Sequence, residues 1–208
     1  MTEPLKTEKA PTSTDVVIVG GGMVGATVAL GLAQAGFDVT LLERQAPSLE
    51  WSDDAPYQTR VSALTRASEN ILKHLNAWAG IERRRGHAFT DMHVWESISE
   101  AAVHFDAREI QEPNLGYVVE NNVIQAALWE QMPNYPNLHC IVGQSIQDLK
   151  LDNDQAWVEL DKGDCLQARL VVGADGALSK TRDLAGIAIQ THDYQQCAVV
   201  GCVKTELS

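Results

Sequence analysis

Val16-Val17-Ile18-Val19-Gly20-Gly21-Gly22-Met23-Val24-Gly25 constrains the fold more than any other stretch of the chain. A β-branched run leads directly into Gly-x-Gly-x-x-Gly, and an apolar helical pattern follows. Such a strand–turn–helix places a dinucleotide's pyrophosphate at the helix N-terminus. Gly20 permits the tight turn, Gly22 lets backbone N–H groups approach phosphate, and Gly25 lets the helix pack against the strand. The first turn of the helix adds free N–H donors and the positive end of its dipole. Glu43 closes the next apolar strand, about twenty residues beyond Gly20, where an acid grips a ribose hydroxyl. An acid there suits a free ribose diol, as in FAD or NAD, and disfavours NADP at this site. A merely structural Gly-rich turn would explain the glycines but not the second strand and its acid.

The uncharged run from Val16 to Ala33 approaches the length of a membrane span. Its five glycines fit a strand–turn–helix and do not fit a membrane helix. Net charge is −12, which argues against nucleic acid, because phosphate contacts need clustered Lys and Arg. The one basic run, Arg83-Arg84-Arg85, reads as cations at a helix C-terminus, with anionic lipid or a cofactor phosphate as the alternatives. Cys140, Cys165, Cys197 and Cys202 form no C-x-x-C pair and read as buried filler in a reducing cytoplasm. The histidines have no metal-ligand spacing. Residues 1–14 are polar and read as a flexible tail.

Periodicity gives a coarse map. Strand 15–20, helix 23–35 and strand 38–43 form a βαβ unit, with Val24, Val28, Leu32 and Ala35 on one helix face. Residues 44–59 read as a loop. A helix is expected over 63–75, with Leu64, Ala67, Ile71, Leu72 and Leu75 on one face, and a short one over 78–84. The period then falls to two. Met92, Val94 and Ile98, then Ala101, Val103 and Phe105, predict strands with one wet face. Further strands are expected at 116–120, 138–142, 145–151, 156–160 and 166–173, with helices at 121–132 and 178–185. The fold class is α/β: a Rossmann-like nucleotide-binding domain over 15–87 and 119–188. A partial antiparallel sheet domain is expected from 88–118 and 189–208.

A second signal is Leu170-Val171-Val172-Gly173-Ala174-Asp175-Gly176-Ala177-Leu178-Ser179-Lys180-Thr181-Arg182. A buried strand ends in a small-residue turn carrying one carboxylate, and a helix then starts with Ser179 and Arg182 one turn apart. Alone, this is an Asp-Gly turn before a capped helix. Together with the first motif, it resembles the flavin-dependent aromatic hydroxylases related to p-hydroxybenzoate hydroxylase, which carry Gly-Ala-Asp-Gly-x-x-Ser-x-x-Arg in mid-chain. Within that group the likeness is to the ubiquinone-biosynthesis hydroxylases. It is carried by residues 18–25, by Arg60-Val61-Ser62-Ala63-Leu64, by Gly116-Tyr117-Val118-Val119-Glu120-Asn121 and by Ala127-Leu128-Trp129. Phe105-Asp106-Ala107 is most similar to the branch acting late on the ring, the 2-polyprenyl-3-methyl-6-methoxy-1,4-benzoquinol hydroxylases.

The resemblance implies bound FAD, with NAD(P)H as co-substrate. Oxygen would be inserted into a polyprenylated quinol or phenol ring in ubiquinone biosynthesis. It implies Gly20, Gly22 and Gly25 at the pyrophosphate and Glu43 at the adenosine ribose. Asp175 and Gly176 would line the FAD and nicotinamide region, with Arg60 as a further cofactor contact. Asn121 falls where distant relatives place a residue near the flavin, or it is the N-cap of its helix. No catalytic residue is singled out, and no metal is expected. The family's third cofactor motif, Gly-Asp-Ala, does not occur in these residues, so the chain reads as the N-terminal portion of such an enzyme, inactive alone. A cytoplasmic protein is expected, peripheral to the inner membrane, meeting its substrate at the membrane surface or in a biosynthetic complex. Two other readings compete: a nicotinamide-dependent dehydrogenase, and a non-catalytic FAD- or partner-binding fragment.

Overall fold

Val16, Val17, Ile18 and Val19 are β-branched, and all four are buried in a strand at the centre of a six-stranded sheet. The computed structural model describes residues 12–152 and 154–206. In chain order the elements begin β1 (Thr12–Val19), α1 (Met23–Gln34), β2 (Val39–Glu43), β3 (Val61–Thr65), α2 (Arg66–His74) and α3 (Trp78–Glu82). Next come β4 (His87–Phe89), β5 (Asp91–Trp95), β6 (Ala102–Asp106), β7 (Gly116–Glu120) and α4 (Asn121–Trp129). Last are β8 (Leu138–Val142), β9 (Ile146–Leu151), β10 (Ala156–Leu160), β11 (Cys165–Gly173) and α5 (Lys180–Leu184). Among the described residues no helix is long and apolar enough to cross a membrane.

The chain divides into two compact units. The first, 12–46 with 132–192, holds the sheet in the order β8-β2-β1-β11-β10-β9. Strands β8, β2, β1 and β11 run parallel, whereas β10 is antiparallel to both of its neighbours. This is the expected α/β, Rossmann-like core. Val17, Val19, Leu42, Ile146, Val158 and Leu160 form one buried cluster. The buried face of α1 is Gly25, Ala26, Ala29, Leu30 and Ala33, not the expected Val24, Val28, Leu32 and Ala35; Val24 is 65% exposed. Small side chains let the helix axis approach closely, and that outweighs the bulk of the valines. Thr12–Thr14 belong to β1 rather than to a tail, and residues 1–11 lie outside the described part.

The second unit, 47–131 with 193–206, is built on two small antiparallel sheets, β3-β7-β4 and β5-β6. Compactness therefore joins 47–87 and 119–131 to the 88–118 region, a wider boundary than expected. The reason is helix packing: α3 lies on α2 and α4, and Trp78 meets Tyr117 of β7 edge-to-face at 4.9 Å. Residues 61–65 are strand, not the start of a helix. They pair with β7, and Thr65 caps α2 by accepting a hydrogen bond from the Ser68 amide. In α2 the buried residues are Leu72 and Glu69, while Ile71 is exposed. Glu69 is tolerated inside because Arg66 and Lys73 both pair with it. Strands β5 and β6 form as the alternation predicts, but neither face is dry: Met92, Val94, Val103 and Phe105 are all exposed. Residues 189–206 form no strand; Val199 is fully exposed, so the expected pairing with 88–118 is absent there. The cysteines are not buried filler: none of the four is in a disulfide, three are exposed and Cys165 is half-buried.

Candidate functional site

The turn after β1 is fixed by backbone crowding. Gly20 has φ +102°, a region that side chains avoid. A Cβ there would also stand 2.5 Å from the Ala174 carbonyl oxygen and 2.8 Å from the Asp175 nitrogen. Two hydrogen bonds fasten the turn to its neighbours: Gly20 N–H to the Leu42 carbonyl at 2.8 Å, and Ala174 N–H to the Val19 carbonyl at 2.7 Å. Gly25 sits beneath the turn, where any Cβ would collide with the Gly20 carbonyl oxygen. Gly22 is different. It is the N-cap of α1, and nothing lies within 4 Å of where its Cβ would be. Gly20 and Gly25 thus shape the turn, whereas Gly22 leaves space above it. The first turn of α1 holds no acid, and no side chain caps it. Its N–H donors are therefore available to an anion.

Glu43 ends β2 beside this turn. Its Oε2 accepts from Gly21 N–H at 2.6 Å, and its Oε1 accepts from Gln45 N–H at 3.0 Å. The carboxylate is thereby held in place against the glycine loop. Each carboxylate oxygen has a second lone pair, which leaves capacity for a ribose hydroxyl.

The turn between β11 and α5 comes to the same place through the Ala174 bond. Asp175 serves the turn itself. Oδ1 accepts from the Ser179 hydroxyl at 2.5 Å; Oδ2 accepts from Thr181 N–H at 3.0 Å and from its hydroxyl at 3.1 Å. Burial pushes the Asp175 carboxyl up, but the bonds from Ser179 and Thr181 outweigh it and hold the group below the usual carboxylate range. Ser179 caps α5 by accepting from Arg182 N–H at 2.9 Å. The Arg182 guanidinium closes the turn on the Ala177 carbonyl at 3.0 Å. The Asp, Ser and Arg of this motif are therefore bonded into one another's turn. Gly176, at φ +85°, has open space around its Cβ position.

A cleft of about 390 Å³ opens at the carboxyl ends of β1, β2 and β11. Gly20, Gly22, Glu43, Asp175 and Gly176 all line it. Gly25 lies under the loop. Arg60 and Asn121 belong to the second unit, where Asn121 N–H donates to the Arg60 carbonyl at 3.0 Å. Arg60 is exposed. Asn121 is not an N-cap: that position is Glu120, and Asn121 Oδ1 accepts from the Ser62 hydroxyl at 2.7 Å. Sequence reasoning missed Arg44, Gln144 and Lys180, which also line the cleft. Arg44 directly follows Glu43 and could have been noticed; Gln144 carries no local signal. A somewhat larger hollow of about 460 Å³, beside β9, β10 and α5, lacks the glycine loop and Glu43.

Residues 13–207 match the FAD binding domain family. The chain belongs to that family. It is 41% identical over 193 residues to 3-demethoxyubiquinol 3-hydroxylase of Escherichia coli, covering 93% of this chain and 49% of that protein. It is 32% identical over 201 residues to the mitochondrial ubiquinone biosynthesis monooxygenase COQ6 of Caenorhabditis elegans, covering 92% of this chain and 44% of that protein. The chain thus spans about half the length of these curated relatives. Among solved structures, pqsL, a probable FAD-dependent monooxygenase from Pseudomonas aeruginosa, shares the fold with a TM-score of 0.69 at 23% identity. That match covers 88% of this chain and 48% of the other. The residues present fit FAD. The open Gly22 position and uncapped α1 amides suit a pyrophosphate, and the anchored Glu43 suits a ribose.

Proposed function

We propose that this chain supplies the FAD-binding part of an aromatic-ring monooxygenase of ubiquinone biosynthesis. One observation carries the reading. Two motifs far apart in sequence, the glycine loop with Glu43 and the Asp175–Gly176 turn, line one cleft in a chain similar to ubiquinone hydroxylases. The Gly20–Gly25 turn and the α1 amides would hold the pyrophosphate and Glu43 the adenosine ribose. Asp175 and Gly176 would flank the FAD and nicotinamide region. FAD, when bound, would supply the redox chemistry by which two electrons from NAD(P)H reduce dioxygen, one oxygen atom entering an electron-rich ring and the other leaving as water. This chain's residues would bind and orient the cofactor.

The substrate class is a polyprenylated quinol or phenol, met at a membrane surface or within a biosynthetic complex. Salt-resistant and alkali-resistant retention in the membrane fraction would contradict that location. The cofactor assignment is tested by titrating FAD into the protein and into Gly22→Phe, reading flavin fluorescence and absorbance. The open space at Gly22 predicts a variant that melts near the parent temperature but no longer binds FAD. Unchanged FAD affinity in the variant sinks the assignment, and NADH binding without FAD binding would favour a dehydrogenase.

A further inference from the structure

The chain carries a net charge of −12, yet the charge left unpaired in the glycine-loop cleft is positive. The charged side chains that line it are Glu43, Arg44, Asp175 and Lys180. Both carboxylates are hydrogen-bonded into their own turns, Glu43 by the Gly21 and Gln45 N–H groups and Asp175 by Ser179 and Thr181. Neither Arg44 nor Lys180 makes an ion pair among the described residues. Arg44 directly follows Glu43 at the end of β2, whereas Lys180 is the first residue of α5, after β11. Strand β1 lies between β2 and β11, so the two cations flank the β1–α1 turn from opposite sides. A cation in the first turn of a helix opposes the helix dipole, so Lys180 gains nothing from α5 itself. The other group that feels its charge is Asp161, which also feels Lys162. Ser145 already serves that carboxylate: its hydroxyl donates at 2.8 Å and, with the Ser145 backbone, is the main reason Asp161 lies below the usual carboxylate range.

We propose that Lys180 is a phosphate contact of the cofactor: its ammonium offsets the pyrophosphate charge from the β11 side of the cleft, while the α1 amides hold it from the β1 side. The proposal rests on the reading of this cleft as the FAD site. β1, α1, β11 and α5 all belong to the first unit. The two kinds of donor are complementary. The α1 amides are fixed dipoles, whereas a lysine is a point charge on a flexible four-carbon stem that can follow a phosphate oxygen. In so acidic a chain, a local cation also offsets the repulsion that a doubly charged ligand meets on approach.

The test is calorimetric titration of the 208-residue chain and its Lys180→Gln, Lys180→Arg and Lys162→Gln variants with FAD and with ADP, at low and high salt. Lys162 shares Asp161 with Lys180 but does not line the cleft, so its variant reports the general loss of one positive charge. Lys180→Gln should weaken both ligands about tenfold at low salt. The gap should shrink at high salt, which screens the contact. Lys180→Arg and Lys162→Gln should each stay within about threefold of the parent. FAD should also protect Lys180, but not Lys162, from acetylation by acetic anhydride, read by peptide mass. Equal affinities of parent and Lys180→Gln overturn the contact and leave the FAD site standing, as do equal losses in Lys180→Gln and Lys162→Gln. A loss for FAD without a loss for ADP overturns it too, because the missing interaction would then lie on the flavin side. If the parent does not bind FAD, the reading of the cleft fails and the proposal with it. Should Lys180→Gln melt well below the parent, the acetylation of the parent decides: Lys180 modified equally fast with and without saturating FAD overturns the contact.

Discussion

Strands β1 and β6 carry the same kind of residue to opposite ends. In β1, Val17 and Ile18 are completely buried, as is Leu41 beside them in β2. In β6, Val103 is 52% exposed, and Val94, opposite it in β5, is 53% exposed. Both pairs satisfy the pleat, and both lie in regular ladders. What differs is the cover: β1 has helix α1 and the core cluster against it, whereas among the described residues the β5–β6 hairpin has no strand beyond its own pair. A period of two therefore identifies a strand without identifying what lies on its apolar face. The cleft adds a second contrast, because there the backbone, not side-chain volume, is the packing element.

The largest effect should come where backbone meets backbone. Gly25→Val would drive a side chain into the Gly20 carbonyl, which cannot move without breaking the bonds that tie the turn to β2 and β11. A loss on the order of 4–5 kcal/mol or more is expected, together with loss of FAD binding. Chemical denaturation and flavin titration check both; a variant that melts like the parent would mean the turn is far softer than its hydrogen bonds suggest. Next in size is the core. Leu41→Ala removes a fully buried side chain from the middle of β2 and should cost about 2–5 kcal/mol. A cost under about 1 kcal/mol would break the comparison from the buried side.

Local chemistry was legible in the sequence and long-range partnership was not. The glycine turn, Glu43 and the Asp175 turn announce themselves because each is built from neighbours along the chain. The helical spacing of Leu64, Ala67 and Ile71 runs on past a boundary that Thr65 sets by capping, so the spacing alone carries the helix back over residues 63–65 at the end of β3. The buried face of α1 is not the one its valines suggest, because close helix–sheet approach selects Ala and Gly over hydrophobic bulk. The partners of Arg84 and Arg85, the Leu49 and Ala55 carbonyls, are backbone atoms in an irregular loop. No pattern at positions 49 or 55 could have named them.

A smaller effect is expected at Asp175. Its pKa is depressed in the folded protein, since the Ser179 and Thr181 bonds outweigh burial. The stabilisation from its charge is therefore complete above the unfolded carboxyl pKa of about 3.9 and is lost as pH falls through the lower folded value. Asp175→Asn keeps the shape but loses the charge-assisted capping of α5. A cost of about 1 kcal/mol is expected at neutral pH. The gap between variant and parent should persist down to about pH 4 and close below it. A gap that stayed constant to pH 2 would show that the bonds do not depend on the ionised carboxylate.

The smallest effect should come from the hairpin, and it is the one that most sharpens the contrast with β1. Val103→Thr is nearly isosteric and keeps β-branching, so strand propensity is conserved. The substitution puts a hydroxyl on a face that is half exposed, where water can satisfy it. If nothing covers that face, stability should change by no more than about 0.5 kcal/mol. The same change in a dry core would leave the hydroxyl buried among apolar groups and cost about 1–3 kcal/mol. Denaturation of parent and variant at two protein concentrations separates the cases. A cost above about 1 kcal/mol that is the same at both concentrations would mean that the chain itself covers the face. A cost that appears only at the higher concentration would mean that a second copy does.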